Sequence, residues 1–335
     1  MKGQLISLVR KVNAKAHDFG LKAWGRLGAS FEIGVFEPTS DFAIAILVHN
    51  PRGYQLDELV ARFAGLPNVY FVAWGPFALS GGNGRWLISK AGTWRSAANF
   101  AISKIRARKL LVVGQQFDLD LQLVRDFEAA PVGTAPVILN ANGLIVSAGV
   151  TGDGKFVLGG FNVADLPAGF GETAGLPGEI VLAGAGFDWQ QLKVSYDLRV
   201  RHLKTWAVPI GTSTDSLLVA SKAQRWAIKN PAWANARGDN WGDTFFVNDL
   251  VFALRGLGHH VIEDRLQNWN RPSRKFDDVE LVVRGKSAYQ PSGKAKSILW
   301  VISHPELVTV EEVKAYDLVF AASASWAAEM SARSG

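Results

Sequence analysis

Short apolar runs rich in β-branched residues recur along this chain, separated by segments whose apolar positions fall three and four apart. Residues 42–48 (FAIAILV), 68–74 (NVYFVAW) and 110–113 (LLVV) have the length and composition of buried strands, and 85–90 (RWLISK) alternates as a strand does. Between them, 56–63 and the stretch opening at 92–99 carry helical spacing, as does 121–127. A second series begins near Arg225: strands at 226–229, 260–264, 279–283 and 298–302, and a helix over 245–257 that Gly258 ends. Strands alternating with helices predict an α/β fold with mostly parallel sheets. Helical spacing at 5–27 predicts an N-terminal helical extension, residues 1–29.

The best-marked stretch is 297–323. Its apolar run 298–302 ends at Ser303-His304-Pro305, because proline cannot continue a central strand. Thr309 is placed to cap a short helix whose first turn holds Glu311 and Glu312, and 316–321 is the next strand. In parallel sheets ligands gather beyond the carboxyl ends of strands, where Ser303, His304 and Ser323 are expected to lie beside the loop Trp241-Gly242-Asp243.

Composition narrows the class. Hydrophobic residues make up 48% and charged residues 20% of 335 positions, as in ordinary globular proteins. No uninterrupted apolar segment has the length of a membrane span, and the N-terminus lacks a signal-peptide core, so cytoplasmic residence is the expectation. The absence of cysteine excludes disulfides, thiolate metal sites and cysteine nucleophiles. A net charge of +6 and a pI near 9.5 suit an anionic partner, whether a nucleotide diphosphate, a lipid phosphate or an acidic membrane surface. A nucleic-acid partner is not expected, since no recognised binding signature accompanies the charge.

The order of elements in the first half is similar to that of family-2 glycosyltransferases with the GT-A fold. The resemblance rests on a strand ending near Asn50, an Ala97-Ala98-Asn99 helix, the run at 135–139 followed by Asn142-Gly143, Ser147-Ala148-Gly149, and Asp188 leading to Tyr196-Asp197-Leu198-Arg199-Val200-Arg201. It implies a donor site for a nucleotide sugar at Asn50, Asn99, Asp118 and Asp120, with Asp118 and Asp120 holding Mn2+ or Mg2+ against the diphosphate. The other reading of these two carboxylates is that they favour the dipole of the helix at 121–127. In the family's Glu-Asp-x-Asp-Leu-x-x-Arg motif, Val194 and Ser195 stand where the acid pair belongs. Neither removes a proton, so Asp197 remains the local candidate base, with pairing to Arg201 as its structural alternative.

The second half resembles the N-terminal lobe of GT-B glycosyltransferases of the spore-maturation CgeB-like group. Trp241-Gly242-Asp243-x-Phe245, Leu254-Arg255-x-Leu257-Gly258-His259, Arg284-Gly285, Tyr289-x-Pro291 and 300–305 carry this likeness. A complete GT-B enzyme has a second, donor-binding lobe, and the chain ends before one, which implies a weakly active or inactive isolated chain. The expected organisation is therefore a GT-A-like, mostly parallel domain at 30–210 and a Rossmann-like GT-B half at 222–335, joined near 209–214. The implied function is sugar transfer from a nucleotide donor to a cell-surface polysaccharide or lipid-linked glycan, with a peripheral membrane location. A non-catalytic carbohydrate- or nucleotide-binding module is the alternative. Candidate catalytic residues are Asp197 and His304. Candidate acceptor-binding residues are Trp241, Gly242, Asp243, Arg284, Ser303 and Ser323. Each has a structural alternative: loop support for His304, helix capping for Asp243 and a salt bridge for Arg284. Trp233, Trp241 and Trp269 fall in polar loops, where flat faces suit sugar stacking. His259-His260 is not a metal pair, because neighbouring strand residues face opposite ways.

Overall fold

The β-branched runs form strands that open an α/β architecture, seen in a computed structural model that describes residues 32–33, 40–49, 53–75, 85–184, 186–203 and 223–335. The expected N-terminal helix, Asn50 and the 209–214 connection lie outside the described residues. By contact, the chain divides into two compact units. One comprises Met1–Gln115, Asp120–Gly133 and Glu179–Phe187; the other comprises Gln116–Leu119, Thr134–Gly178 and Asp188–Gly335.

The first unit is built on β1 (Glu32–Ile33), β2 (Ser40–His49), α1 (Gly53–Phe63), β3 (Val69–Trp74), β4 (Trp86–Ser89), α2 (Trp94–Lys104), β5 (Ala107–Gly114) and α3 (Leu121–Ala129). With β9 (Ile180–Gly184), the strands form one sheet ordered β1-β4-β3-β2-β5-β9. Its four middle strands run parallel and the two flanking strands antiparallel. Ala43 to Val48 are all buried, which is why this strand reads as a continuous apolar run instead of alternating. Thr93 caps α2 by accepting from the Ser96 N–H at 3.2 Å, and its inward face is Trp94, Ala97, Ala98 and Ala101.

The second unit holds two sheets. A mixed sheet, β7-β6-β10-β8, is made of β6 (Thr134–Leu139), β7 (Ile145–Ser147), β8 (Phe170–Glu172) and β10 (Lys193–Arg201). Its core gathers Val137, Ile145, Leu158, Phe161, Val194 and Tyr196. The other sheet, ordered β12-β11-β13-β14-β15, is parallel throughout. It comprises β11 (Arg225–Asn230), β12 (His260–Arg265), β13 (Val279–Arg284), β14 (Lys296–Val301) and β15 (Leu318–Ala321). After β11 come the single turn α4 (Ala236–Asp239) and the long helix α5 (Gly242–Gly256), whose Val247 and Val251 pack with Ile228, Val261 and Leu281. α6 (Val310–Lys314) and α7 (Ala324–Ser334) complete the unit. Thr309 caps α6 as its position predicts, accepting from the Glu312 N–H at 3.1 Å.

A chain of buried ions runs through the second unit. Asp165 takes the Arg225 guanidinium on both oxygens and His260 Nε2 at 3.0 Å. Arg225 Nε also donates to Asp277 at 3.1 Å. Arg271 grips both oxygens of Asp277 (2.7 and 2.6 Å) and of Asp264 (2.8 and 3.0 Å), and Lys229 donates to Asp264 at 2.8 Å. Three cations meet three carboxylates, so the cluster balances its charge, as burial in a low-dielectric interior demands. Burial opposes ionisation of Asp165, but hydrogen bonds from His260 and Arg225 outweigh it and hold its pKa down to about 2. Among the described residues no helix is long and apolar enough to cross a membrane.

Candidate functional site

The carboxyl ends of the parallel sheet bring together several of the residues singled out in the sequence. β11 ends at Asn230 and runs into the loop that leads to Trp241, the N-cap residue of α5, which is 38% exposed. Asp243 lies in the first turn of α5. It does not cap the helix: the helix already begins at Gly242, and no side chain bonds at the cap. Among the described residues the Asp243 carboxylate has no hydrogen-bond or ion-pair partner. Partial burial pushes its pKa up, and the nearby His304 partly offsets this. Gly285, following β13, lets the backbone pack closely against it: a Cβ there would stand 3.4 Å from Asp243 Oδ2 and 3.1 Å from Pro231.

His304 follows β14 with left-handed backbone, φ +51°, and opens the 3-10 turn Pro305–Leu307. A β-carbon residue in this region carries strain, which the loop tolerates by bonding Leu307 N–H to the His304 carbonyl at 3.0 Å. Its ring stands 3.1 Å from Glu306 Oε1 and is partly open to solvent. The imidazole is therefore oriented by a carboxylate on one nitrogen, and it acts electrostatically on a second carboxyl, Asp243.

Other expected ligand groups are occupied. Arg284 is 2% exposed; its guanidinium bonds Glu312 at 2.6 and 3.1 Å, Leu307 O at 3.1 Å and Gly285 O. It is a structural ion pair tying α6 to β13, not a phosphate ligand. Ser303 Oγ reaches back to Arg284 O at 3.5 Å, and Ser323 caps α7 by accepting from Trp326 N–H at 3.3 Å. Trp269 is 5% exposed and donates to Asn230 O at 2.9 Å, so it supports the core and offers no stacking face; Trp233, at 46%, remains exposed.

The residues expected to hold a donor do not assemble in the same way. Asp120 caps α3, accepting from Leu123 N–H at 2.8 Å, while Asp118 is exposed and its backbone N–H bonds Arg201 O at 3.0 Å. Among the described residues no three His, Asp or Glu side chains gather to hold an ion. Of the proposed metal pair, Asp120 spends Oδ1 on the helix end. Asn99 is on the exposed face of α2. On β10, Asp197 is exposed and accepts from Gly169 N–H at 3.3 Å; it forms no pair with Arg201. Val194 is wholly buried in the mixed-sheet core and Ser195 is 3% exposed, its Oγ taking Leu198 N–H at 3.4 Å.

One cleft of about 770 Å³ escaped the sequence reading. It follows the edge strand β12 from His259 and His260 at its start to Arg265 and Asn268 beyond its end, and Arg199, Arg201 and Arg255 border it. The only sequence signal was scattered basic residues at 199–201 and 255–260, whose meeting depends on tertiary packing. Compared with known proteins, the chain matches no family model, no curated protein and no solved structure.

Proposed function

We propose that this protein transfers a sugar from a nucleotide-activated donor to a hydroxyl of a polysaccharide or glycolipid, with the acceptor at the carboxyl edge of the parallel sheet. The supporting observation is an unpartnered carboxyl there, Asp243, packed beside Gly285 and under the electrostatic influence of His304. In this reading Asp243 takes the proton of the acceptor hydroxyl. That oxygen then bonds to the anomeric carbon as the bond to the nucleoside diphosphate breaks, and the electron pair leaves with the diphosphate. His304 favours the ionised carboxylate electrostatically, while the exposed rings of Trp233 and Trp241 offer faces for a sugar.

The test is transfer of label from a panel of nucleotide sugars to a polysaccharide and glycolipid extract. Asp243→Asn should lower turnover by about 10²-fold or more, the usual contribution of a positioned base, with a smaller loss for His304→Ala. Asp197→Asn should leave turnover intact. Full turnover in Asp243→Asn, or its loss in Asp197→Asn, would refute this assignment. The second reading, a binding module without transferase activity, draws support from Val194 and Ser195, which occupy core positions where the resembled motif has its acids. It predicts glycan binding with no transfer in any variant.

A further inference from the structure

We propose that the cleft along β12 binds an anionic saccharide, a sugar carrying phosphate or carboxylate groups. Four arginines line it against two carboxylates, Asp239 and Glu263. Both acids are engaged by the same residue, Arg265, and Glu263 also takes the Asn230 amide at 2.6 Å. Arg199, Arg201 and Arg255 are left without an ion-pair partner among the described residues. Two of them are held in place by backbone: Arg255 donates to Val261 O at 2.9 Å and Arg199 to Tyr196 O at 3.3 Å. Guanidinium groups so placed keep further N–H donors for a phosphate or carboxylate.

The second feature is a demand for hydroxyl groups. Asn268 is 5% exposed; its Nδ2 donates to Asn142 O at 2.7 Å, which fixes the amide's direction and leaves Oδ1 buried with no partner. An orphaned buried acceptor is costly, and a ligand hydroxyl is the donor that would satisfy it. His259 Nδ1, also on the cleft, is similarly buried without a partner. No Trp, Tyr or Phe lines the cleft, so recognition there rests on charge and hydrogen bonds and not on stacking of a nucleobase or a sugar face. Its volume is within the range of small-molecule pockets.

This inference does not rest on transfer at Asp243. It is tested by calorimetric titration of the full chain with glucose 1-phosphate, a glucuronate-containing trisaccharide, inorganic phosphate and neutral maltotriose, at low and high salt. At least one anionic sugar should bind, about ten-fold or more tightly than maltotriose or phosphate, and more weakly as salt rises. The tighter of the two anionic sugars identifies the acid group. Arg201→Gln with Arg255→Gln should reduce that affinity about ten-fold at unchanged melting temperature, because both side chains are exposed. Asp243→Asn should leave it unchanged, which separates this site from the transfer reading. No binding of either anionic sugar at about 10 mM would overturn the proposal. So would affinity unaffected by the double arginine variant, or phosphate binding as tightly as the sugars.

Discussion

Replacing Arg271 by methionine tests how the second unit is held together. Arg271 is 1% exposed and donates five hydrogen bonds, two to each of Asp264 and Asp277 and one to Ser273. Without it, Lys229 and Arg225 still face Asp264 and Asp277, but two cations then meet three carboxylates. One negative charge is left uncompensated in the interior. Removing one partner of a buried pair costs about 3–5 kcal/mol, a large part of the roughly 5–15 kcal/mol that stabilises a typical domain. For a unit of this size that corresponds to a fall of about 10 °C in melting temperature. Urea unfolding followed by tryptophan fluorescence would measure it, since Trp269 is in the neighbouring core. Two companion results are expected. Adding Asp277→Asn restores the charge balance and should recover part of the loss, a favourable coupling in the double-mutant cycle. Lowering the pH should shrink the penalty, because the uncompensated carboxylate of the variant takes up a proton more readily. Stability of Arg271→Met within about 1 kcal/mol of the parent, or a double variant weaker than additivity predicts, would refute the view that charge balance governs this core.

Asp165 predicts an acid limb in the stability profile. Its folded pKa, about 2, is below the ordinary 3.8, so its contribution is complete above about pH 4 and is lost as the pH falls through 2; it amounts to about 2 kcal/mol, and Asp165→Asn should flatten the profile in that window. Asp120→Ala should cost about 1 kcal/mol through loss of the α3 cap, measured by thermal melting, while nucleotide-sugar affinity with and without manganese stays the same; a metal-dependent loss of affinity would restore the ligand role.

The two resemblances assign the same chemistry to different places, and the described geometry weighs them unequally. In the first half, the candidate base Asp197 is exposed and bonded to backbone, and the metal candidates include a helix cap. In the second half, Asp243 and His304 follow separate parallel strands at one sheet edge. Arg284 shows the limit of such placement: it stands at a strand's carboxyl end, yet Glu312 of the following helix neutralises it.

Local sequence determined much of the architecture. Continuous apolar runs such as 42–48 and 298–302 specify buried parallel strands because both faces are covered, and the Thr309 cap and the stop at Gly258 follow from nearest-neighbour chemistry. That His304 and Asp243 both follow parallel strands was legible too, since the carboxyl ends of such strands share one edge. Tertiary structure alone decided the rest. The mixed sheet depends on β6 pairing with β10 more than fifty residues later, and strands of three residues such as β7 and β8 carry almost no periodic signal. Val194 and Ser195 carry no ionisable group, but only packing shows that they are buried in a core. Asp165 and Arg225, Asp264 and Arg271, and the arginines around Asn268 are ordinary charged residues in sequence. Their buried balance and their shared cleft arise from contacts between distant segments, and no local pattern encodes which charge will find which partner.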